Sequence, residues 1–159
     1  MLRQTLKYWL PVAIWSAAIV IASGPGLGAD NTGALLERVV VTIFGHPLPP
    51  EVFFYLHVLI RKLGHVTEYA ILGGLAFRAA RGDAHGFSWR WALTAVVICL
   101  VVSSCDEWRQ SFVPTRTASP RDVLLDVVAA SLMQLAIRYS MLSNRFALFA
   151  SGSSERGGE

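Results

Sequence analysis

Long apolar stretches recur along this chain, and they leave it few ways to fold. They run from about Tyr8 to Ala22, Leu63 to Ala80, Trp91 to Cys105 and Val123 to Leu142. Each is near the roughly 17–25 residues that cross a bilayer as a helix, once interfacial ends are allowed for. In hydrocarbon every backbone N–H and C=O must be bonded within the protein, so segments of this kind become helices. The expected fold is all-α, a polytopic membrane bundle of about four transmembrane helices. Composition agrees: hydrophobic residues make up 53% of the 159 residues and charged residues 16%. That is too apolar for an ordinary soluble domain.

The flanks fit the same picture. Lys7, Tyr8 and Trp9 open the first stretch, and Trp89, Arg90 and Trp91 open the third. Basic and aromatic side chains of this kind sit at membrane interfaces. Pro11 is expected in the first turn of its helix, where a missing N–H is harmless. Between the first two stretches lie ALLERVVVTIFG (34–45) and EVFFYLHVLIR (51–61), both too short to span alone. The first reads as a short amphipathic element, helix or strand. The second reads as an interfacial helix or as an extension of the second span. The prolines of HPLPP (46–50) keep them apart. Residues 8–142 thus form one transmembrane domain, and 143–159 a polar tail, expected to be disordered at its end.

Several function classes are excluded early. The net charge is only +3, with no Lys/Arg block of the sort that binds nucleic acid. Cys99 and Cys105 lie roughly 9 Å apart on a helix, too far for a disulfide, and neither has zinc-site spacing. Arg3 and Lys7 before an apolar run mimic a secretion signal. No small-x-small site precedes SGPGLG (23–28), so the first span is expected to be retained.

Charge also bears on orientation. With a cytoplasmic N-terminus, four spans return the C-terminus to the cytoplasm. Arg3, Lys7, Arg78, Arg81, Arg90, Arg138, Arg145 and Arg156 then lie inside, and Arg38, Arg61, Lys62, Arg109, Arg116 and Arg121 outside. Eight against six favours this orientation by a small margin. It brings the start of the second span, the end of the third and the start of the fourth to one membrane face.

Those three places hold the ionisable residues. In KLGHVTEY (62–69), Lys62, His65 and Glu68 follow at three-residue steps, and His65 and Tyr69 are an i,i+4 pair, so the four share roughly one helical face. In CDEWRQSFVPTR (105–116), Asp106 and Gln110 are i,i+4 and Glu107 and Gln110 i,i+3. In SPRDVLLDVVAA (119–130), Ser119 and Asp122 fit a capping box with Pro120 at the first helical position. Asp126 lies one turn deeper and has no capping role. A carboxylate inside an apolar run needs a partner or a proton. Gln134 is expected to make a hydrogen bond between helices.

With order and spacing together, K-x-x-H-x-x-E-Y-x-x-L-G (62–73), D-E-x-x-Q-x-F-x-P-x-R (106–116) and S-x-x-D-x-x-x-D (119–126) resemble the VanZ-like membrane proteins. Thr115 stands where that family often has glycine. Asp126 stands where it often has asparagine, and Ala129 and Ala130 where small glycines usually follow. The resemblance implies a multi-pass protein of the bacterial inner (cytoplasmic) membrane. The founding member is associated with resistance to the glycopeptide teicoplanin, and the family has no defined reaction.

Three readings of the cluster stay open. In the first, it recognises or modifies an anionic membrane lipid or lipid-linked cell-wall precursor. Lys62, Tyr69, Gln110, Arg116 and Asp122 would bind, with Arg116 gripping a phosphate in bidentate fashion. His65, Glu68, Asp106, Glu107 and Asp126 would handle protons. No serine or cysteine has a histidine partner in sequence. In the second, His65 and Glu68 form an H-x-x-E metal site, but one histidine is few for zinc and basic groups compete for the carboxylates. No metal or other cofactor is expected. In the third, the charges are an ion-paired core of a structural, assembly or proton-coupled protein. Oligomeric state is not legible.

Overall fold

The computed structural model describes residues 2–24, 29–112 and 119–154. Five helices follow in order: α1 (Leu2–Ala22), α2 (Ala29–Phe44), α3 (Pro50–Arg81), α4 (Trp89–Gln110) and α5 (Pro120–Ser154). No strand occurs among the described residues. The all-α expectation holds, and both short segments between the first two apolar stretches are helical. ALLERVVVTIFG lies in α2 and its following turn, and EVFFYLHVLIR is the first part of α3.

α3 is the central helix. It packs against α1, α4 and α5, and more lightly against α2. Pro50 opens it at the first turn with Glu51 beside the positive end of the dipole. Gly82 closes it at φ 57°, a left-handed turn that suits glycine, with its N–H bonded to the Arg78 carbonyl. At 1.5 Å per residue its 32 residues extend about 48 Å, well over the ~30 Å hydrocarbon core. Its buried residues, from Tyr69 to Ala79, all lie in the second half. The first half carries α2 and frames a pocket.

Small residues let the central helices approach. A Cβ on Gly73 would lie 3.3 Å from Ala130 Cα and 3.1 Å from Gln134 Nε2, so α3 and α5 meet almost backbone to backbone. Gln134 Nε2 donates to the Gly73 carbonyl at 3.1 Å, the cross-helix bond expected of it. At the far end of the bundle, Phe77 stacks on Phe87 and meets Trp91 edge-on. The Tyr8 hydroxyl donates to Asp83, tying the start of α1 to the end of α3.

Among the described residues α1, α4 and α5 are long and apolar enough to cross a membrane. α3 is longer than any bilayer crossing requires, and its apolar second half packs among those three helices. Two expectations change. α1 begins at Leu2, so Pro11 lies inside the helix and not in its first turn. It forgoes one bond to the Lys7 carbonyl. Second, α5 continues past Leu142 to Ser154, so part of the expected tail is helical; residues 155–159 lie outside those described.

Candidate functional site

His57, Arg61, His65 and Glu68 recur at four-, four- and three-residue steps, which places them along one face of α3. The end of α1 and the start of α2 stand opposite. Together with Asp106 from α4 and Thr32 from α2, these residues line a pocket of about 240 Å³. A second pocket, of about 260 Å³, shares His57, Arg61 and His65 and continues toward Lys62 and Asp122. Thr32 Oγ1 lies 3.1 Å from His57 Nε2 and joins α2 to this face. Trp15 Nε1 donates to the Glu68 carbonyl at 3.0 Å and seats α1 beside it.

The predicted residues divide into groups with different surroundings. Lys62, His65 and Glu68 do not point the same way. Each three-residue step lags about 60° on a helix, so the triplet fans over about 120°. Lys62 turns to α5, its Nζ 3.5 Å from Asp122 Oδ1 in a half-exposed pair that contributes little to stability. Glu68 turns to the α1–α2 pocket. Tyr69 is buried in the core among Leu72, Cys99 and Ala129, away from either pocket.

His65 stands between the two pockets with its Nδ1 sealed from solvent and 3.4 Å from Asp126 Oδ1. Asp126, only 1% exposed, accepts from Ser103 Oγ at 2.6 Å through its other oxygen. The lone carboxylate inside the fourth apolar stretch therefore does have partners, one from α3 and one from α4. Asp126→Asn retains an acceptor for Ser103 and loses only a loosely seated charge contact. Unlike an arginine, His65 can be neutral, so no buried charge is left uncompensated when Asp126 loses its own. We expect its thermal midpoint in detergent to stay within about 3 °C of wild type.

Asp106 is a fastener. Its Oδ1 accepts from Ser23 Oγ and from Arg109 Nη2 at 2.9 Å, and its Oδ2 from Gln110 Nε2 at 2.7 Å. Arg109 Nη2 also reaches the Val20 carbonyl at 2.9 Å. The end of α1 is thereby tied to the end of α4. Gln110 bonds Asp106, the i,i+4 option, and joins this tie rather than a pocket wall.

The capping box is corrected. Glu107 Oε2, from α4, accepts from the Ser119 N–H at 2.8 Å, the bond that a capping-box Asp122 would have taken. This frees Asp122 for Lys62 and gives Glu107 a structural partner. Arg116 lies outside the described residues.

Sequence reasoning passed over Ser23, His57, Arg61, Ser103 and Arg109 as site residues. For His57 and Arg61 a signal existed, since the spacing of His65 and Glu68 continues backward through EVFFYLHVLIR. For Ser23 and Ser103 there was none, because both are brought in by partners far along the chain. Among the described residues no group of three or more His, Cys, Asp and Glu is placed to hold a metal ion.

Apolar helices around a charged central helix, with a polar pocket at one end, define a helical integral membrane protein. The VanZ/LLP1 family model matches residues 9–142, and the chain belongs to that family. No curated protein and no solved structure matches it.

Proposed function

We propose that the chain acts in the bacterial cell envelope by holding the anionic head group of a membrane lipid or lipid-linked glycan in the α1–α2–α3 pocket. In this reading α3 crosses the inner membrane with α1, α4 and α5. The pocket then faces the outer leaflet, and both termini are cytoplasmic. The observation that carries it is Arg61. It lines both pockets, flanked by His57 and His65, and among the described residues no carboxylate lies within ion-pair distance of it. A guanidinium without an internal partner, beside two imidazoles, is built to receive an anion.

The surroundings favour a lipid. Leu36 and Ile60 line the same pocket, and Leu35, Val39 and Ile43 of α2 and Phe54 and Leu59 of α3 are exposed on the same two helices. A charged head group and a hydrocarbon chain would each find matching surface. Native mass spectrometry of protein released from bacterial membranes tests this. Wild type should retain an anionic lipid, and Arg61→Gln should lower the retained fraction about tenfold or more, the loss of one charge-assisted hydrogen bond. Wild type released without any selected lipid would refute it.

Family membership supports a link to glycopeptide tolerance. Expression in a susceptible strain should raise the teicoplanin concentration needed to stop growth, and Arg61→Gln should not. A structural reading accounts for part of the cluster. Asp106, Glu107, Asp122 and Asp126 all have partners inside the protein. These groups hold the helices, which leaves Arg61 and Glu68 to meet a ligand.

A further inference from the structure

The three motifs at this end of the bundle hold five carboxylates, and four are engaged. Asp106 is bound by Ser23, Arg109 and Gln110, Glu107 by Ser119, Asp122 by Lys62, and Asp126 by Ser103 with His65 beside it. Glu68 is the remaining one. It lines the α1–α2 pocket, and its carboxylate has no hydrogen-bond or ion-pair partner among the described residues. Only its backbone carbonyl is used, by Trp15. Arg61 is the matching case among the basic groups that line the pockets. Seven residues separate the two, about 10 Å along one face of α3. Gly64 lies between them, and a Cβ there would meet nothing within 4 Å, so the wall is open.

We propose that this pocket has two subsites and selects a phosphate-bearing head group that also carries a sugar or polyol. Arg61 takes the phosphate. Glu68 accepts hydrogen bonds from the hydroxyls. The polarity of the ligand follows from charge. The Glu68 carboxylate repels a phosphate and attracts O–H donors. The Arg61 end does the reverse. Hydroxyl groups bonded to a carboxylate in a partly dehydrated pocket discriminate strongly against a ligand that lacks them, because the carboxylate is then left unbonded.

The proposal rests on the anion-binding reading, and the test separates the two. Full-length protein is placed in phosphatidylcholine nanodiscs carrying equal amounts of phosphatidic acid, phosphatidylinositol or an uncharged diglucosyl lipid. Retained lipid is measured by native mass spectrometry. Wild type should hold phosphatidylinositol about tenfold better than phosphatidic acid, and both better than the uncharged lipid. Glu68→Ala, which removes a carboxylate with no hydrogen-bond or ion-pair partner among the described residues, should fold normally and lose that tenfold preference while keeping phosphatidic acid. Gly64→Leu, filling the open wall between the subsites, should lower both anionic lipids together. Equal retention of the two by wild type, or a preference that survives Glu68→Ala, overturns the two-subsite proposal and leaves anion binding standing. No retention of either anionic lipid above phosphatidylcholine overturns both.

Discussion

Asp106→Ala should lower the stability of the folded protein by about 2–3 kcal/mol, among the largest losses from a single substitution here. Its carboxylate holds Ser23, Arg109 and Gln110 at once and is 3% exposed. Truncation leaves a guanidinium without its counter-charge and loosens the end of α1. The cost falls at the low end for breaking a buried pair, because the Arg109 side chain is 36% exposed and partly screened. An SDS-unfolding titration in mixed micelles measures it. The double substitution Asp106→Ala with Arg109→Met should recover part of the loss, since the orphaned charge is then gone. If the double variant is no more stable than Asp106→Ala alone, the tie works through packing and not through charge.

Gly73→Val should be of similar size, about 3 kcal/mol, from overpacking. A single added carbon at this position already comes within 3.3 Å of the Ala130 backbone and 3.1 Å of the Gln134 amide. Two further methyl carbons must push α3 from α5 and break the Gln134 bond to the Gly73 carbonyl. Neighbouring Gly74 is the control. A Cβ there meets only Met133, a flexible side chain, at 3.8 Å. Gly74→Ala should be neutral or gain up to about 1 kcal/mol in helix propensity. The contrast between adjacent glycines, read in the same titration, separates close helix contact from a general intolerance of α3 to side chains.

The two substitutions also show what can be read without a structure. Apolar length and lack of charge suffice to announce α1, α4 and α5, because lipid imposes one answer on such a segment. A helix shielded by other helices is under no such rule. α3 carries Lys62, His65 and Glu68 just ahead of its buried segment, where Asp122, Asp126 and a pocket meet them. The continuation of the His65–Glu68 spacing back to Arg61 and His57 was present in the letters. It stayed hidden because EVFFYLHVLIR read equally as a separate interfacial helix.

For the individual carboxylates, the letters marked those that needed a partner and could not name it. Asp126 was legible as a buried charge, but Ser103 lies 23 positions away on another helix. Asp122 fitted a capping box that Glu107 fills instead, from 12 residues before Ser119. Local pattern reports what a residue can do within its own turn or helix. Which of several acceptors is used depends on where neighbouring helices stop and how they rotate, and those are set by contacts such as Gly73 on Ala130. Sequence alone thus determined the membrane class, the helical fold and the family resemblance, all consequences of solvent and spacing. Tertiary structure decided that most of the polar cluster fastens the bundle, because only packing shows which charges are already paired. By the same comparison, Arg61 and Glu68 line the pocket with no side-chain hydrogen bond or ion pair among the described residues.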